Sequence, residues 1–132
     1  MNNCRCILFL LVCLSCLGCA ALLTEQTYTL VDQQVSAEPL YSGTAYSIAE
    51  RVDLRKIVIL GSGKIQYIDI HAREDTNHWK LVKSIKKAIQ FPYVVLLRAE
   101  TDTIKISHRT TTGKGSIDTI QFYTITEKPR VN

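Results

Sequence analysis

Beyond Cys19 this chain of 132 residues has no cysteine, although Cys4, Cys6, Cys13, Cys16 and Cys19 all stand near its start. The body therefore excludes disulfides, thiolate metal sites and cysteine nucleophiles together. Proline occurs three times, and methionine and tryptophan once each, too few for a proline-rich linker or a methionine-lined groove. Glycine is nearly as scarce, with six residues, and none builds a phosphate loop. In "IVILGSGKIQ", Gln66 stands where a dinucleotide fingerprint needs its third glycine, and Ile65 stands where a phosphate loop needs serine or threonine. "TTTGKGS" fails likewise. Neither sign of charge dominates: the net charge is +4, which excludes the strongly basic character of a nucleic-acid binder. His71, His78 and His108 share no metal-ligand spacing with one another or with a carboxylate. Ser62 and Ser116 lack a nucleophile elbow, and the pairs Glu74 with Asp75 and Glu100 with Asp102 fall in expected turns. No catalytic residue, cofactor site or metal site is assigned, and the chain is not expected to be an enzyme.

What is present begins with a targeting segment. "MNNCRC", with the single cation Arg5, leads into an almost unbroken apolar run from Ile7 to Leu23, the layout of a secretory signal. The run is at the short limit for a membrane span and is interrupted by Ser15 and Gly18. "CLGC" resembles the bacterial lipobox, in which a small residue precedes the cysteine to be modified. That resemblance implies cleavage before Cys19, a lipid on its sulfur and an acylated new N-terminus; "CLSC", ending at Cys16, is the competing site. The expected organisation is a signal peptide at 1–18, a lipidated N-terminus and tether at 19–26, one domain at 27–126 and a polar tail at 127–132. The expected place is the cell membrane or outer membrane, facing periplasm or exterior through a lipid anchor.

The body reads as all-β. Segments rich in Val, Ile, Thr and Tyr recur at roughly ten-residue spacing: Thr27 to Val35, Arg55 to Leu60, Lys64 to Ala72, Tyr93 to Ala99, Thr103 to Arg109 and Ile117 to Ile125. Turn residues separate them at Gly61 to Gly63, Arg73 to Asn77, Glu100 to Asp102 and Thr110 to Ser116. "WKLVKSIKKAIQ" reads two ways. Val82, Ile85 and Ile89 share one helical face, giving a short helix near 79–90, while Trp79 and Leu81 alternate as in a strand. Lys80, Lys83, Lys86 and Lys87 make it basic.

From Leu54 onward, "LRKIVIL", "IQYIDIHAREDTNHWKLVKSI", "IQFPYVVLLRAETDTIKI" and "IDTIQFYTI" resemble, in order and character, the discoidin family, or coagulation-factor type C domains, within the galactose-binding-like jelly rolls. The resemblance covers roughly seventy residues and implies a jelly-roll-like β-sandwich of short antiparallel strands. Trp79, Leu81, Val95, Leu97, Ile104 and Ile106 would be buried between two sheets. Members bind sugars or lipids through loops at one end. This chain lacks the disulfide and the long N-terminal third that members commonly carry.

Two loops are the expected ligand site. Arg73, Asp75, Asn77 and His78 supply donors and acceptors suited to sugar hydroxyls; Arg109 and Lys114 flank or occupy the second. The same first loop offers a calcium ion only a few oxygens, too few for a site by itself. Two functions stand open. One is a membrane-anchored module recognising a glycan, an envelope component or a protein. The other is an accessory structural lipoprotein that docks into an envelope assembly and has no ligand site. A concave, aromatic-lined loop end would favour the first, and an exposed apolar sheet face the second.

Overall fold

The computed structural model describes residues 24–109 and 115–129. The expected signal, Cys16, Cys19 and Lys114 lie outside them. Seven strands follow in order: β1 (Thr24–Leu30), β2 (Ser36–Leu40), β3 (Gly43–Ser62), β4 (Gln66–Asp75), β5 (His78–Ile85), β6 (Tyr93–Arg109) and β7 (Ser116–Pro129). The chain divides into two units, Tyr28–Ile125 and a smaller one made of the residues on either side. In the smaller unit the described pieces belong to β1 and β7, where the Gln26 side-chain amide donates to Glu127 (3.3 Å). β7 runs three residues into the segment read as a tail.

Within Tyr28–Ile125 the strands form one antiparallel network in the order β1-β7-β3-β6-β4-β5, with β2 on the first part of β3. Two strands are long enough to serve both layers of a sandwich. The first part of β3 pairs with β2 and with the end of β6, and its last part pairs with β7 and with the start of β6. One apolar cluster fills the interior, contributed by every strand from β3 to β7: Tyr46, Ile57, Ile59, Ile68, Ile70, Ile85, Val95, Ile104, Ile106, Ile120 and Phe122 are among its buried members. Alternation explains which residues face it.

Where alternation breaks, the ladder slips. Between the pairs Ser47↔Thr103 and Val52↔Thr101, four residues of β3 stand opposite one of β6. A second slip, between Leu54 and Lys56, passes the inward set from Leu54 to Ile57 and Ile59. These irregularities let one strand bend from one layer into the other. Gly43 sits where only glycine fits, since its φ of 146° is a left-handed conformation and a Cβ there would strike the Ile106 carbonyl oxygen.

One open reading is decided here and three expectations are corrected. Of the two readings of 79–90 the strand holds, and no helix forms there. Residues 78–85 are β5, and Ile89 reaches the core through a lone bridge to Ile65. The apparent helical spacing arises because Val82 is an extra residue between the pairs Ile70↔Lys83 and His71↔Leu81, so Val82 and Ile85 both turn inward. Glu100 to Asp102 is not a turn but the middle of β6. Thr101 is buried there, its hydroxyl donating to the Arg73 carbonyl (2.8 Å). The expected strand to Val35 ends at Leu30, and β2 with the first half of β3 had no clear pattern to announce them. Of the six residues expected between the sheets, Val95, Ile104 and Ile106 are buried and Leu97 is half-buried. Leu81 is 53% exposed, and Trp79 lies half-buried on the outer face beneath the Lys105 ammonium (4.9 Å).

Candidate functional site

The β4–β5 hairpin places Arg73, Asp75, Asn77 and His78 at one end of the sandwich. Asp75 Oδ1 accepts the Asn77 backbone N–H (3.2 Å) and lies 2.7 Å from His78 Nδ1, so this carboxylate closes its own turn. The hydrogen bond to His78 holds Asp75 below the usual carboxylate range, and the same bond raises His78 above its ordinary value. Asp75 and His78 are thus committed to each other rather than aimed at a ligand.

Arg109 is at the other end. It pairs with Gln66 at the start of β4, nine residues before Asp75, a distance of about 30 Å along an extended strand. Its guanidinium lies over the Tyr67 ring (5.9 Å), and Tyr67 adopts the left-handed φ of 53° at a slip in the β4–β6 ladder. Arg109 therefore stands apart from Arg73, Asp75, Asn77 and His78, because β4 carries the hairpin at its end and meets Arg109 beside its beginning.

A cleft of about 730 Å³ opens beside the hairpin, between the β4–β5 tip and the bends of β3 and β6. Ala72, Val82 and Ala99 supply its apolar surface, and Arg51, Asp53, Arg73, Glu74, Lys80, Arg98 and Glu100 supply charge. Arg51 comes from the extra residues of β3. Its guanidinium donates to the carbonyl oxygens of Glu74 (3.0 Å) and Glu100 (2.7 Å), tying β3 to β4 and β6 without spending its charge on a carboxylate. Arg73 donates to Asp102 (2.9 Å), which also accepts from the Thr103 hydroxyl (2.9 Å). Burial draws the Asp102 pKa upward. The hydrogen bonds from Thr103 and Arg73, with the charges of Arg73 and Arg51, outweigh it and leave the carboxyl below its ordinary value. Asp53 accepts two donors of Arg55 (3.1 and 3.2 Å).

Lys80 and Arg98 meet no carboxylate at ion-pair distance among the described residues, so the cleft keeps donors free. Of the expected site residues that are described, only Arg73 lines it. Arg51, Lys80, Arg98 and Glu100 were not anticipated as site residues. Lys80 had signalled itself only as one of a basic run, and Arg51 lay in the stretch whose strands were not read.

No protein-family model matches the sequence, and no curated protein matches it. Solved structures do. One is a truncated AlyQ with CBM32 and alginate lyase domains, with a TM-score of 0.59 at 9% identity; the match covers 79% of this chain and 35% of that one. This chain thus spans about a third of that structure's length. Another is the family 32 CBM from C. perfringens NanJ in complex with galactose, with a TM-score of 0.50 at 15% identity, covering 75% of this chain and 93% of that one. At such identities the likeness is one of fold. The chain shares the β-sandwich fold of these two structures, the fold the resemblance implied.

Proposed function

We propose that this chain is a lipid-anchored envelope protein whose sandwich recognises a glycan in the cleft beside the β4–β5 hairpin. The observation that carries the reading is the cleft itself. Its size suits one or two sugar units, it has a small apolar floor, and the free donors of Lys80 and Arg98 stand beside the acceptor Glu100, a pattern matched to the paired hydroxyls of a sugar ring. The fold it shares with a module solved with galactose supports the same ligand class.

The test is calorimetric titration of the full chain in detergent with galactose and galactose-ended oligosaccharides, repeated on Arg98→Ala and Lys80→Ala. Because each residue is exposed, both variants should melt like the unaltered chain. Each should weaken binding by about tenfold, the loss of one charge-assisted hydrogen bond. Undiminished binding in both would move the site away from this cleft.

The docking role remains a second reading, favoured by a specific observation. Among the described residues no aromatic side chain lines the cleft, and one face of the sandwich exposes apolar residues. Absence of binding by any saccharide would leave that role as the better account.

A further inference from the structure

The outer face of the half-sheet β1-β7-β3-β6 differs from the rest of the surface. Four of the seven exposed large apolar residues among the described ones stand on it: Tyr28 (42%), Leu30 (49%), Val94 (52%) and Leu96 (59%). Register fixes their common side. Leu96 stands opposite Lys56, which stands opposite Tyr123, while the intervening Ile57, Val95 and Phe122 point into the core. At the centre the Lys56 ammonium is held between two rings, 4.5 Å from the centre of Tyr28 and 4.1 Å from that of Tyr123. No carboxylate stands among these residues. A contiguous apolar patch with a buttressed cation at its centre is a surface built to be covered.

From this geometry we infer that the face rests on the anionic surface of the membrane that holds the chain. The inference rests on the lipid anchor of the proposed function. Tyr28 stands nine positions after Cys19, so a lipid on Cys19 holds Tyr28 within about 30 Å of the bilayer at full extension. That reach lets this half-sheet, by its β1 edge, touch the headgroup layer. There the tyrosines have their favoured mixed environment, and Lys56 meets phosphate. A second copy fits worse: a two-fold contact would bring Lys56 towards Lys56 with no carboxylate to offset it. A stacked sugar also fits worse, since the inward ring faces of Tyr28 and Tyr123 are already taken by the ammonium.

The test uses the full chain, acylated by its own host and reconstituted in vesicles, with a photoreactive benzophenone amino acid in place of Leu96 or, as control, in place of Leu81, which is equally exposed on the other half. On phosphatidylcholine vesicles containing phosphatidylglycerol, lipid adducts are expected at position 96 and not at 81. Phosphatidylcholine alone, or the change Lys56→Glu or Lys56→Gln, should sharply reduce the adducts at 96. Equal labelling of the two positions, or none at 96 on a chain whose mass confirms acylation, overturns the inference and leaves the anchor standing. A mass showing no acyl group on Cys19 or Cys16 removes the anchor and the inference with it.

Discussion

His71 shows how one side chain sets a pH dependence. It stands on β4 opposite Leu81 and Lys105, and its Nδ1 is buried with no hydrogen-bond partner among the described residues. Burial lowers its pKa first and the nearby Lys105 charge lowers it further, while Asp69 opposes both. The sign follows from linkage. The unfolded chain takes up a proton near the ordinary value of 6.5, whereas the folded chain resists until lower pH, so stability is present above that value and declines as pH falls through it towards the folded pKa. Replacing His71 by Leu should flatten the melting temperature between about pH 7 and 5 and leave it unchanged or higher at pH 7, because the uncompensated nitrogen disappears. A slope that persisted in His71→Leu would assign the dependence to another group. His78 works in the opposite direction: its raised pKa makes its pairing with Asp75 strongest below about pH 6.5, and that contribution fades as pH rises through the folded value. None of this was legible in the sequence. Three histidines in poor metal spacing gave no hint that one would be orphaned on a sheet face and another bound into a turn.

At the scale of elements, periodicity announced what kept its period. Ile68 and Ile70 in β4, Ile104 and Ile106 in β6, and Ile120 and Phe122 in β7 alternate cleanly and lie in the core, so those strands could be read directly from the residues. The failures sit where the ladder slips. An extra Val82 imitated a helix, an acidic bend in β6 imitated a turn, and the four residues Ile48 to Arg51 hid half of the longest strand. The site shared this fate in part: Ala72, Arg98 and Ala99 came from segments whose pattern was clear, but Arg51 came from the hidden stretch and Val82 is itself the extra residue of β5. The sequence could name Arg73 to His78 and Arg109 as candidates but not that they stand beside opposite ends of β4, since pairing register is a property of two segments at once. The slips also predict unequal costs for similar changes. Ile104→Ala removes a side chain with no exposed surface and should destabilise by about 2–4 kcal/mol in chemical denaturation. Leu97→Ala, half-buried beside the bend, should cost about 1 kcal/mol, and Leu81→Ala, on the open face of β5, under about 0.5 kcal/mol. Equal losses for Ile104 and Leu81 would contradict the inward set described for β5 and β6.

At the scale of the whole molecule, the shortage of cysteine after position 19 and the crowding of cysteine before it belong to one argument. A body without disulfides relies on its apolar cluster, here dominated by isoleucine, and so has no use of its own for a thiol. A cysteine at the end of an apolar run is where the lipid attachment proposed above would act. Such attachment would fix the surroundings in which both the cleft and the apolar face must work, because the β1 strand begins only five residues after Cys19. Such a short connection leaves the sandwich little freedom to leave the bilayer, and more than one acyl chain is required for the attachment to last. The prediction is that a chain carrying Cys19→Ser, grown with a radioactive or clickable palmitate, loses its label while Cys16→Ser retains it. The reverse outcome would shift the modified residue to Cys16. It would lengthen the tether by three residues without changing the reading of the domain, since the reach from Cys16 to Tyr28 remains within about 40 Å. Undiminished label in the Cys16→Ser, Cys19→Ser double variant would remove the lipid altogether. The apolar face of Tyr28, Val94 and Leu96 would then need a protein to cover it, and the docking role would gain what the membrane lost.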